Sequence, residues 1–355
     1  MFYIHKYDPQ KISDFFFHKN ILRQLIAISK KNDLPHMLFY GPPSSGITTL
    51  IQMFMELIFG PSVRKLRRVE YQVTSAGTSS KTPITLQQSN NHIVIQPGST
   101  NFDRHIIQNV VTMYARVRSL DLHNKTKKFK IVLINDADKL LPNAQPALRR
   151  TMELYSNTCK FILWCNKLSG VIDPIRSRCN PVRVPSPPDG DIFLRLVQIS
   201  VWENRRIPLK KLNDIVVKAE GRIKKALWLL QIEILGQTVW KGESIKELSI
   251  EPSVKKIVKL MCTPDIKKIL IIENMLYNII VTNISGTNII ISIYNEILKT
   301  VELDKKKIRQ IISITAFYEH RATVLSARRV MMQLMPFVQN MFRILNEGKL
   351  DKMLK

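Results

Sequence analysis

Residues 35–59 run an apolar hexapeptide, PHMLFY, into GPPSSGITT and then into a stretch with helical periodicity from residue 48 onward. Strand, glycine-bounded loop and helix in that order form the context of a phosphate-cradling loop. The first turn of such a helix has backbone N–H groups with no intrahelical partner, and they point into the loop. The order also restricts the fold, because a strand that feeds a helix returns to a parallel neighbour by a crossover. The chain repeats the pattern: residues 93–95, 129–135 (FKIVLIN) and 160–165 (KFILWC) read as further strands, with helices expected over 104–120 and 142–155 and one over 20–31 ahead of the first strand. Strands that run apolar on both faces predict a parallel sheet covered by helices on both sides, an α/β fold.

A joint follows at Val184-Pro-Ser-Pro-Pro188, where each proline fixes its own φ and restricts the residue before it. Beyond it the periodicity is helical throughout. Residues 191–204, 209–220 and 224–236 read as three helices, and amphipathic helices continue from about residue 249 to the end. The expected domains are therefore 1–185, 186–245 and 246–355. Apolar residues at 279–293 are broken by Asn, Thr, Ser and Gly, so they read as buried helix or turn, and no uninterrupted apolar run reaches the length of a membrane span.

The loop has a chemical defect. A phosphate loop adds a lysine that reaches the β and γ phosphates and a hydroxyl that holds Mg²⁺. Gly41, Pro42, Gly46, Thr48 and Thr49 keep the frame and the hydroxyls, but Ile47 stands in the lysine position. A second defect lies at the end of the strand at 129–135. There an acidic pair is needed to hold the metal and orient the attacking water. The chain has Asn135 and Asp136 instead, a neutral amide and a carboxylate one methylene shorter than the usual glutamate. Nucleotide affinity is expected to fall and hydrolysis to fall further. ATP or ADP is expected to bind weakly or not at all, with Mg²⁺ at Thr48 and Asp136 only if nucleotide is present. No separate metal site is expected.

The 54 Lys and Arg residues against 28 Asp and Glu give +26, a field that draws polyanions such as nucleic acid. A codon bias toward Lys and Ile in an AT-rich genome is the alternative source of that charge. Cys159, Cys165, Cys179 and Cys262 lack C-x-x-C spacing, which points to reduced, structural thiols rather than zinc ligands. The N-terminal MFYIHKYDPQ lacks the pattern of a secretory signal, so an intracellular protein is expected.

Several segments together resemble one family. PHMLFYG at 35–41, AQPALRRTME at 144–153, Cys165-Asn166 and PIRSRC at 174–179 are similar to the small subunits of eukaryotic replication factor C, an AAA+ clamp loader. Lys65-Leu-Arg, Asn91-His-Ile-Val, Asp138-Lys-Leu, Val182-Arg-Val-Pro and Ala316-Phe-Tyr-Glu-His-Arg321 sharpen the likeness toward its third small subunit, whose acidic motif also lacks the first Asp. The resemblance covers nearly the whole chain. It implies an AAA+ domain with a degenerate site, a helical lid and an all-α collar that closes five subunits into a ring. It also implies partners: one large and three other small subunits, a ring-shaped sliding clamp and primer-template DNA, with no membrane.

By the same resemblance Arg178, flanked by Ser177 and Cys179, is an arginine finger that reaches a neighbour's ATP site. Asn166 occupies the first sensor position and Lys224 the second. Tyr7 and Pro9 line the adenine pocket, where Asp8 departs from the family's arginine. Arg104 is a candidate contact to the DNA backbone, with Lys81 and the run Lys125, Lys127 and Lys128 as weaker ones. The implied function is a subunit that loads the clamp without hydrolysing ATP, at a nuclear replication site or the cytoplasmic one of a large DNA virus. Two other readings stay open: an active AAA+ ATPase working as a DNA-remodelling motor, and a basic DNA-binding protein on a relic scaffold.

Overall fold

A computed structural model describes residues 1–11, 14–31, 33–74, 81–97, 103–116, 129–239, 251–263, 265, 267–282, 284–300, 304–324 and 330–346. The chain divides into two compact units, Met1–Val239 and Trp240–Lys355. The sheet and the three helices after the proline joint share the first unit. The boundary expected at 245/246 lies outside the described residues.

The first unit opens with α1 (Tyr3–Lys6) and α2 (Lys19–Ser29), followed by β1 (Met37–Tyr40) and α3 (Ile47–Phe59). Next come β2 (Arg67–Thr74), β3 (Lys81–Gln88) and β4 (His92–Ile95). The helical segment after them consists of α4 (Asp103–His105), a π-helical stretch Ile106–Val111 and α5 (Thr112–Arg116). The strands β5 (Lys130–Ile134) and β6 (Cys159–Cys165) flank α6 (Ala144–Leu154), and α7 (Asp173–Arg176) leads into β7 (Asn180–Arg183). The helical trio is α8 (Asp189–Trp202), α9 (Leu209–Ala219) and α10 (Ile223–Val239).

Seven strands form one sheet in the order β2-β3-β4-β5-β6-β1-β7. The pairs from β4 through β7 are parallel, and β2–β3 and β3–β4 are antiparallel. Parallel strands covered on both faces need apolar residues on both, and Ile131–Ile134 of β5 supply them. Val132 and Ile134 enter one core with Leu38, Phe161, Leu148 and Met152, while Ile131 and Leu133 enter the opposite core with Phe39, Leu50 and Phe54. Phe39, Phe54 and Phe161 are fully buried. Truncating any of them to alanine should cost about 3–5 kcal/mol.

The hairpin β2–β3 and the edge strand β7 were not expected from the sequence. The expected helix at 104–120 is correct in position, but its middle is wound as a π-helix, with the Thr112 hydroxyl donating to the Ile107 carbonyl at 3.3 Å; residues 117–120 lie outside the described residues. Within 279–293, expected as buried helix or turn, one helix ends at Val281 and another begins at Gly286, and residue 283 lies outside the described residues.

The second unit consists of α11 (Glu251–Met261), α12 (Lys268–Val281), α13 (Gly286–Thr300), α14 (Lys305–Val324) and α15 (Met331–Leu345). Its core is built from Ile257, Ile272, Leu276, Ile290, Ile293, Ile311 and Phe337. No described helix is long and apolar enough to cross a membrane.

Candidate nucleotide site and arginine edge

Register brings the chemistry together. Tyr40 pairs with Cys165 and Ile134 with Leu163, so the loop after β1, the acidic end of β5 and the end of β6 all emerge at the carboxyl edge of the parallel sheet. In open α/β sheets that edge is where ligands bind.

The loop keeps its shape for backbone reasons. Gly41 lies against β7, where an added Cβ would sit 2.0 Å from the Val184 carbonyl oxygen, so no other residue fits without movement. Gly46 caps α3 with φ +92°, a left-handed conformation that favours glycine. His18 Nε2 lies 2.9 Å from the Ser45 carbonyl oxygen and ties the loop to the start of α2. Pro42 and Thr48 are exposed and Thr49 is half-buried. Ile47 points the other way: it is 5% exposed and packs in the core with Phe39, Leu50 and Val184. The position that would hold the phosphate cation is a core residue.

The acidic strand end is committed to internal partners. Trp164 Nε1 donates to Asn135 Oδ1 at 2.8 Å across β5 and β6. Asp136 has φ +47° and pairs with Lys139 Nζ at 2.8 Å. Asn166, just past β6, has a buried side-chain oxygen with no hydrogen-bond partner, as do Ser45 Oγ and Asp138 Oδ1. Burial of an unpaired polar atom is costly, and these three oxygens carry that cost at this edge of the sheet.

A pocket opens beside the loop. Tyr7, Pro9 and Lys224, all expected from the sequence, line it together with Gly46 and Thr49, and Asp8 joins them. Its walls include Ile4, Phe15 and Leu227, apolar surfaces suited to a flat base. Tyr7 stacks on Trp202 with ring centroids 5.6 Å apart, and its hydroxyl donates to Glu203 at 2.6 Å. Burial and that carboxylate push the Tyr7 pKa up to about 12. The apolar walls are compatible with a flat base. The polar residues do not fit a magnesium triphosphate, because the loop cation is missing and the acidic end is already paired.

Arg178 follows the short helix α7 and is exposed. Its guanidinium pairs with Glu153 at 2.6 Å and donates to the Pro174 carbonyl at 2.7 Å, while Arg149 shares the same carboxylate at 3.1 Å. The two arginines, Arg149 first, hold the Glu153 carboxyl below its ordinary range. Ser177 donates to the Pro174 carbonyl at 3.3 Å, and Cys179 is buried in the sheet core with its thiol pushed up to about 12 by burial. Ser177 and Cys179 thus anchor the turn that presents Arg178.

Among the DNA candidates, Arg104 is exposed on α4, ahead of the π-helical stretch. Lys81 starts β3, and its side chain lies outside the described residues, as do Lys125, Lys127 and Lys128. Sequence reasoning missed Glu153, Trp164 and Lys139 as partners of site residues. Only Lys139, three residues after Asp136, left a local signal.

A family model described as DNA polymerase III, delta subunit, matches residues 17–188. The chain is 35% identical over 305 residues to a putative replication factor C small subunit of Acanthamoeba polyphaga mimivirus, covering 86% of this chain and 81% of that protein. It is 33% identical to the probable replication factor C subunit 3 of Dictyostelium discoideum, covering 91% of this chain and 93% of the relative. It is 31% identical to replication factor C subunit 3 of Homo sapiens over 90% of this chain and 89% of that one.

Proposed function

The chain belongs to the replication factor C small subunits, and we propose that within such a clamp loader it hydrolyses no ATP itself and instead completes the ATP site of an adjacent subunit through Arg178. One contrast carries this reading. In its own pocket the loop cation is replaced by buried Ile47, and Asn135 and Asp136 are engaged by Trp164 and Lys139, whereas the Ser-Arg-Cys turn is intact and its guanidinium, paired with Glu153, lies at the surface. A rigid planar cation delivered from outside stabilises charge on a transferring phosphoryl group, which is the work of an arginine finger.

The nucleotide pocket is passive in this reading, empty or holding nucleotide without turnover. Arg104 adds a contact to the phosphate backbone of primer-template DNA, where a positive side chain positions the duplex without reading its bases. The all-α second unit joins one large and three other small subunits in the ring, and the assembly opens a sliding clamp. Replication in the nucleus, or at the cytoplasmic site of a large DNA virus, suits the relatives.

Steady-state ATP turnover by the isolated full-length chain, with Asp136→Asn as its control, tests the first half of the proposal. Turnover at background in both supports it. Turnover that Asp136→Asn abolishes would replace it with the reading as an active motor.

A further inference from the structure

We propose that this chain takes its nucleotide without magnesium: at the strand end the acidic pair is replaced or engaged, and the groups left to a ligand there and in the loop are hydrogen-bond donors suited to phosphate. The inference rests on the passive-pocket reading above and adds the chemical form of the ligand.

Mg²⁺ needs near-ideal octahedral oxygen coordination, with one or two carboxylates beside the phosphates. Three groups stand where its protein ligands are required. Thr48 is exposed and its hydroxyl is neutral. An indole N–H only donates, so the 2.8 Å bond from Trp164 Nε1 decides which end of the Asn135 amide faces it: the oxygen is turned to the tryptophan, and the NH₂ end is left for a ligand. An NH₂ group donates to a phosphate oxygen and repels a cation. Asp136, the only carboxylate of the three, has Lys139 Nζ on Oδ2 at 2.8 Å, so its charge is already balanced. Asp138 accepts the Lys167 N–H at 3.3 Å through Oδ2, and its Oδ1 is shut away from solvent. Asp8 and Asp14 line the pocket beside the loop. Among the described residues, however, no group of three or more acidic, histidine or cysteine side chains could hold a metal ion.

An anion finds a better match. Ser45 Oγ is 1% exposed, has no hydrogen-bond partner and belongs to a residue that lines the pocket together with Thr49. A hydroxyl rotates to donate to a phosphate oxygen as readily as it accepts. Lys224 and Arg195 lie in the same wall, and Arg195 donates to Gln198 at 2.8 Å and to the Tyr7 carbonyl at 3.4 Å, both neutral acceptors. A nucleotide without Mg²⁺ keeps the two negative charges that the metal would neutralise, and the chain's net charge of +26 attracts that form more strongly.

Calorimetric titration of the full-length chain with ADP, once in excess Mg²⁺ and once in EDTA, tests this alongside Asn135→Asp, a variant of nearly equal shape. The unaltered chain should bind ADP at least as tightly in EDTA as in Mg²⁺. In Asn135→Asp one carboxylate oxygen keeps the Trp164 bond and the other faces the metal, so Mg²⁺ should tighten ADP binding about tenfold or more. With Mn²⁺ in place of Mg²⁺, the paramagnetic resonance signal of the ion should change on adding ADP and the variant, and should match that of Mn²⁺ and ADP alone when the unaltered chain is added. ADP binding by the unaltered chain that Mg²⁺ tightens as strongly, or that is undetectable in both conditions, would overturn the inference and leave the passive pocket standing. Indifference to Mg²⁺ in both chains would overturn the part assigned to the Asn135 amide. ATP turnover by the unaltered chain in Mg²⁺ would overturn the passive-pocket reading and the inference together.

Discussion

Restoring the loop lysine separates binding from catalysis. In Ile47→Lys, the new ammonium must turn out of the core toward the loop, because Ile47 is 5% exposed among Phe39, Leu50 and Val184. Full burial of an isoleucine side chain is worth about 1.5–3 kcal/mol, and the lysine stem recovers part of that, so a net loss of about 1–2 kcal/mol is expected. For a unit of this size the loss corresponds to a fall in Tm of about 2–8 °C. MgATP should reverse it: a ligand present at 100 times its Kd stabilises by about 2.7 kcal/mol. Turnover should stay at background, since Asn135 and the Asp136–Lys139 pair are untouched. Thermal melts with and without MgATP, paired with a phosphate-release assay, read both quantities. An unchanged Tm without nucleotide would refute the packing argument. Turnover restored by Ile47→Lys alone would refute the second defect at the strand end.

Three further outcomes follow from the same structure. Gly41→Ala forces a Cβ to within 2.0 Å of the Val184 carbonyl unless β7 moves, and should cost about 1–3 kcal/mol in chemical denaturation. His36 and His92 are held neutral by burial, with pKa values lowered to about 4, and His36 Nδ1 accepts the Phe161 N–H at 3.1 Å. The unfolded chain binds more protons than the folded one between about pH 6.5 and 4, so stability present above 6.5 is lost as pH falls. By pH 5 the loss is about 2 kcal/mol for each histidine, and a single His36→Gln should remove its share of the slope in pH-dependent melts. Glu153→Gln should leave Tm unchanged yet lower the kcat of DNA-stimulated hydrolysis in the assembled complex, because Arg178 loses the carboxylate that orients it.

The parts of the fold that were legible in the sequence share a strong apolar signature. β1, α3, β5, α6 and β6 carry near-continuous or helically spaced apolar residues, and each lies within two residues of its expected bounds. β2, β3 and β7 do not. β7 contains Pro181 and is mostly exposed at the sheet edge, where a missing N–H is tolerated because only β1 lies beside it. Pro83 lies in β3 opposite Gln72, beyond the two positions where β3 meets β4. Proline and polar outer faces mask such strands from a reading based on pattern. The site was legible as a set of residue types at fixed spacings, from Gly41 through Thr49 and at Asn135, Asp136 and Asn166. Its electrostatics were not. Trp164 meets Asn135 through the register of two parallel strands, and Arg178 meets Glu153 across the packing of α7 on α6, relations that no local window contains.

The most direct measurement replaces Arg178 with alanine in the reconstituted clamp loader and follows single-turnover ATP hydrolysis in the presence of clamp and primed DNA. The proposed role predicts that the site on the adjacent subunit still binds ATP while its hydrolysis slows by about 10³-fold or more. Hydrolysis at that site at the unaltered rate would contradict it.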